Sequence, residues 1–241
     1  MKLWSLCLCT LYTLCFTLVP NASAFTSGLP IQSESPLDNK GPWGIEVPTL
    51  LSPMKMRVLV FPHTLKRDYR HGIPDDKTQF RVFSETPIQI GPRVFGKELS
   101  FTFKNQETFS IKGDGIEEEN HVGPVHMTSK SPLFLYRKNN PKKVHQYIGK
   151  IEVRANKKGL LAINHVKLEN YIRGVVPNEV VKTWPLDVLK AQAVAARTYA
   201  VYHGLRKEGS DHWDVDDTAR YQVFTGITHT VEKTDLAVKE T

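Results

Sequence analysis

Cysteine is absent from everything after position 15: the three in this 241-residue chain are Cys7, Cys9 and Cys15. A chain cut beyond that segment has no thiol, which excludes disulfides and cysteine-ligated metal from the remainder. None of the three follows the small residues of a lipoprotein cleavage site. A thiol-free composition suits a protein that folds outside the cytosol without depending on oxidation. Basic runs with interleaved aromatics are also missing, so the usual footprint of a nucleic-acid binder is not there. Charge of one sign is in modest surplus only. Lys and Arg total 32 against 25 acidic residues, a formal +7. That surplus suits either a solvated surface or attraction to an anionic polymer.

The first residues have the order of a secretory signal. Lys2 precedes an apolar stretch from Leu3 to Val19, Pro20 breaks it, and Ala22-Ser23-Ala24 supplies small residues before Phe25. A signal peptide over 1–24 is expected, and with it an exported protein of the periplasm or cell envelope. The competing reading is an uncleaved anchor, at the short limit for a hydrocarbon core of about 30 Å. Membrane contact is expected only through this segment. Residues 25–53 are rich in Pro, Ser and Gly without periodicity and read as a linker.

From residue 54 the pattern turns to short apolar runs. Met56–Phe61, Gln79–Phe83, Phe95–Phe103, Phe109–Lys112 and Pro132–Arg137 are separated by Gly, Pro and Asn, which predicts a β-rich unit over 54–140. His63, His71, His121, His126 and His145 fall there or just after it with no metal-ligand spacing, and are read as surface or core histidines. No metal and no cofactor is expected.

A second domain is expected over 141–241. Gln146–Arg154 alternates, Asn156-Lys157-Lys158-Gly159 makes a turn, and Leu160–Val166 returns, which predicts a hairpin. Leu168, Tyr171, Ile172 and Val175 then share a helical face, with Gly174 and Pro177 expected to end that helix. A longer helix is predicted from Pro185 to about His203, with Gly204 as its stop. Its two apolar stripes imply burial most of the way round. The fold class expected is α+β, a β-rich N-terminal unit followed by buried helices packed against strands.

Glu179 follows a Val-Pro turn and has apolar neighbours in sequence. A carboxyl held in apolar surroundings has a raised pKa and donates a proton near neutral pH. A helix-capping or ion-paired Glu is the alternative on spacing alone, for Glu169 as well.

The run LENYIRGVVPNEV followed by WPLDVLKAQAVAARTYA resembles the signature of the sporulation protein D and LytB amidase-enhancer family, and DVDDTARYQVFTG resembles that family's next block. The resemblance covers about Tyr147 to Thr241. It implies a peptidoglycan-acting protein, with Glu179 as the single catalytic acid of a lytic transglycosylase acting on peptide-free glycan strands. Lys190, Gln192, Arg197, Tyr199 and Gln222 fall on motif positions, either lining a glycan groove or bracing Glu179 from within. A non-catalytic wall-binding enhancer of a cell-wall amidase is the other reading, and a structural exported module a third. Some members carry a Cys/His zinc site near Thr218–Gln222; here Arg220 stands where a ligand is expected. The family domain also continues past the position of Thr241, so this domain is expected to be C-terminally incomplete.

Overall fold

A computed structural model describes residues 54–61, 78–137, 140–157, 159–206 and 212–241. The expected signal peptide (1–24) and linker (25–53) lie outside the described residues. Met56, Val58 and Val60 are fully buried in the first strand, β1 (Lys55–Phe61). The period-two alternation that predicts a strand also gives it a core face. Twelve further strands are found among the described residues. They are β2 (Gln79–Ser84), β3 (Gln89–Ile90), β4 (Arg93–Val94), β5 (Glu98–Phe103), β6 (Thr108–Gly113), β7 (Ile116–Val122), β8 (Val125–Thr128), β9 (Leu133–Arg137), β10 (Asn140–Tyr147), β11 (Lys150–Asn156), β12 (Gly159–Lys167) and β13 (Val215–Asp216). The helices are α1 (Leu168–Glu179), α2 (Leu186–Arg206) and α3 (Glu232–Lys239). The class is α+β.

Two sheets result. One is six-stranded and antiparallel, in the order β10-β9-β2-β5-β6-β7. Its core is aromatic: the rings of Phe80 and Phe101 lie 5.3 Å apart, and Phe61 of β1 reaches Phe80 at 4.8 Å. The other is seven-stranded, in the order β13-β1-β12-β11-β8-β3-β4. Here strands of 54–140 and of 141–241 share one sheet, and the described residues fall in one compact unit. The reason is the hairpin of β11 and β12. It has two open edges, and an open edge is a row of unpaired backbone groups. β1 covers one and β8 the other, both from the N-terminal segment. The expected strand Gln146–Arg154 is broken at Gly149, whose φ is 94° and where a Cβ would stand 2.4 Å from the His165 carbonyl.

Helix α1 does not stop at Gly174 or Pro177 but runs to Glu179. Proline costs a helix one backbone bond, and here it does so only in the last turn. The Asn178 side chain donates to the Gly174 carbonyl at 2.6 Å, and the Val180 N–H reaches Val176. Gly174 is a contact residue instead of a terminator. A Cβ there would lie 2.4 Å from the Gly226 carbonyl and 2.5 Å from the Phe224 ring. Helix α2 likewise passes through Gly204 to Arg206. Its burial is one stripe, Leu189, Ala193, Ala196 and Ala200, whereas Ala191, Val194, Ala195 and Tyr202 are exposed. The expectation of burial most of the way round is corrected. α1, α3 and β1 reach one side of α2 only.

Candidate functional site

Tyr171, Val175 and Glu179 recur every four residues and so lie on one stripe of α1. The first two are fully buried and the third is exposed, so the stripe leaves the core at Glu179. The expectation of an apolar enclosure around Glu179 is corrected: Val175, Val176 and Pro177 before it are buried while Glu179 and Val181 are exposed. The carboxylate's position is fixed by the segment after β13. The Phe224 ring packs 4.9 Å from Tyr171 and 6.0 Å from Tyr147. That anchor brings the preceding N–H, of Val223, to donate to Glu179 Oε1 at 2.7 Å. Among the described residues Oε2 has no partner.

Around this carboxylate are groups from four elements. Tyr171 is completely buried and its hydroxyl has no hydrogen-bond partner among the described residues. Burial, with the nearby Tyr199, Glu179, Asp216 and Asp217, pushes its pKa well above the usual tyrosine value. Gln222 is buried too. Its Nε2 donates to the Ala196 carbonyl at 3.4 Å while Oε1 is left without a partner. On the exposed side Asn178 Nδ2 donates to Thr225 Oγ1 at 3.0 Å, and Asn178 Oδ1 lies 2.7 Å from His229 Nδ1. Next along the chain is an aromatic ridge: His203 lies 4.2 Å from Tyr199, 5.1 Å from Tyr202 and 5.3 Å from Tyr221, centroid to centroid.

Residues 156–241 match the family model described as Stage II sporulation protein. Over that segment the chain is similar to the SpoIID family. An uncharacterized protein of Brachyspira hyodysenteriae is 42% identical over 81 residues, which are 34% of this chain and 22% of that protein. An amidase enhancer of Bacillus subtilis is 41% identical over 70 residues, 29% of this chain and 9% of that one. The chain thus spans less than a quarter of the length of each of these relatives. No solved structure matches it.

Within the matched segment the expected site residues divide between two flanks. Gln192 and Tyr199, seven apart on α2, share a stripe, and Tyr199 is on the Tyr171 and Glu179 side together with Gln222. Lys190 and Arg197, also seven apart, lie on another stripe and turn to α3 and α1. Lys190 Nζ pairs with Glu240 at 2.6 Å, and that hydrogen bond raises its pKa. Arg197 grips both oxygens of Glu169, at 2.9 and 2.7 Å, which raises its own pKa, and also reaches the Val238 carbonyl. Nearby Arg173 pairs with Asp235 at 2.6 Å. A cleft of about 860 Å³ opens on this second flank, lined by Glu169, Arg173, Arg197, Asp235 and Thr241. It does not include Glu179. Sequence reasoning missed Tyr171 with the nearby Asp216 and Asp217, and the pairing of Asn178 with His229. Tyr171 and Asn178 stand inside the motif that carries Glu179, and that was the available signal; the others are set there only by the path of 214–229.

Proposed function

We propose that this protein is exported and acts on peptidoglycan as a lytic transglycosylase, with Glu179 as its single general acid and base. The observation that carries the reading is one carboxylate, exposed at the end of a buried helical stripe, held by one oxygen and free at the other. With the proton on Oε2, Glu179 donates it to the glycosidic oxygen as the C1–O bond breaks. The resulting carboxylate takes the proton of the C6 hydroxyl of N-acetylmuramic acid, whose oxygen bonds to C1 and closes an anhydro ring. No water is activated, so a second carboxylate is not required. The Tyr199, Tyr202 and Tyr221 ridge offers rings with an apolar body and a polar tip, suited to the faces and hydroxyls of sugars. Gln192 and Gln222 lie on the same flank and are the amides assigned to the glycan. Lys190 and Arg197 hold the domain's far flank through their carboxylate partners.

The test is digestion of peptide-free glycan by the purified chain. Anhydro-muramyl ends from the wild type and none from Glu179→Gln support the assignment; equal cleavage by both removes it. The second reading has its own support, the name of the Bacillus subtilis relative. It takes the protein as a wall-binding partner that stimulates a cell-wall amidase. On intact peptidoglycan, faster release of stem peptides by an amidase with this chain than by the amidase alone, with no anhydro ends, selects that reading.

A further inference from the structure

We propose that His126, Glu152 and His165 form a binding site for a divalent transition metal, best matched to zinc. The inference is independent of Glu179. In β12, Leu160, Ala162 and Val166 join the cluster that contains Tyr171 and Val175, whereas Leu161 and Ile163 pack with Leu59 and Trp213 on the other face. His165 alternates with the second set, so this group sits on the sheet face away from the helices.

Sheet register assembles it. Glu152 of β11 is directly opposite His126 of β8, and His165 of β12 is opposite Lys150, hence diagonal to Glu152 on the same face. Glu152 Oε2 lies 2.8 Å from His165 Nε2 and 3.8 Å from His126 Nδ1, and all three ligand atoms fall within 4.8 Å of one another. Zinc bonds of about 2.0–2.2 Å put tetrahedral neighbours roughly 3.3 Å apart. The observed separations bracket that value, and His126, the exposed member, is the ring that closes the gap. Two imidazoles and a carboxylate leave a fourth position open to solvent on the His126 side.

The Glu152 carboxylate is engaged on both sides. The two oxygens divide the work: Oε1 takes Arg154 Nε at 2.6 Å and Oε2 faces the imidazoles. Lys150 and Arg154 repel an added cation, which sets the affinity below that of a purely acidic cage.

The tag-free full-length chain is titrated with Co²⁺ by visible absorbance, and the cobalt is then displaced with Zn²⁺. The expected result is one equivalent of cobalt in a four- or five-coordinate spectrum, with binding weakened by roughly tenfold or more in His126→Ala and in His165→Asn. Zn²⁺ raises the melting temperature of the wild type and not of the variants. His126→Ala removes an exposed ring and keeps the fold, as circular dichroism checks. Binding at millimolar metal only, or equal binding by wild type and both variants, overturns the site and leaves an ion-pair network joining three strands.

Discussion

The two flanks of the α1–α2 pair contain similar residue types and use them differently. On the α3 flank three cations each have a carboxylate: Arg173 with Asp235, Arg197 with Glu169, Lys190 with Glu240. On the Phe224 flank the Tyr171 hydroxyl and Gln222 Oε1 are buried without partners among the described residues, where Glu179 also has one oxygen uncommitted. A polar group left unpaired in a core costs stability. A fold tolerates that where something else gains from it, so the frustrated flank is the better place to look for a ligand than the cleft among the ion pairs.

The sharpest test is Glu179→Gln. Gln retains an acceptor for the Val223 N–H, so folding and wall binding stay near normal while glycan cleavage falls by about 10²–10⁴-fold. A wild-type rate would move the chemistry off this flank. Next in size is Gly174→Ala, whose new methyl meets a backbone carbonyl and the Phe224 ring. Overpacking of this kind costs about 1–3 kcal/mol, read as a lower denaturation midpoint, and it displaces the segment that holds Glu179. An unchanged midpoint would show that the contact is slack.

Tyr171→Phe is expected to stabilise the domain, by about 1 kcal/mol, because it deletes a buried hydroxyl with no partner. The sign with pH follows. The folded-state pKa of Tyr171 is raised, so the linked stability is intact below the unfolded value near 10 and is lost as pH rises above it. The gap between variant and wild type should therefore widen above about pH 10. A destabilised Phe variant would show that the hydroxyl is satisfied after all, which would weaken the contrast between the flanks. The smallest effect is expected from Arg197→Gln, since Glu169 is largely exposed and such pairs contribute less than about 1 kcal/mol. Chemical denaturation of the variant measures it, and a loss of several kcal/mol would make this flank the one that holds the domain together.

Much of the skeleton was readable in the residues themselves. The β11–β12 hairpin, the edges of β1, β2 and β6, and the start of α2 follow from local periodicity and turn chemistry. Glu179 was singled out because its motif is contiguous. What escaped depends on distance along the chain. Pro177 and Gly174 were read as stops since their local cost is real, but packing of Gly174 on Gly226 and the Asn178 side-chain bond outweigh it. The outward face of α2 is rich in alanine and valine, which no local rule distinguishes from a core face. His126, Glu152 and His165 have no recognisable spacing because their proximity is a property of strand register. Lys190 and Arg197 were grouped with Gln192 and Tyr199 by motif, yet a two-residue offset on a helix turns a side chain about 200°.

The place of β1 has a consequence for how the molecule comes into being. It is the first strand described and ends up between β12 and β13, with Val58 beside both Asn164 and Val215. Neither neighbour exists until more than a hundred residues of chain have followed. Loop closure over such spans is slow and comes before its reward. A nascent N-terminal fragment therefore lacks both hydrogen-bonding neighbours of its most apolar strand, and the β13-β1-β12 part of the sheet can form only late, after β12 and then β13 have been made.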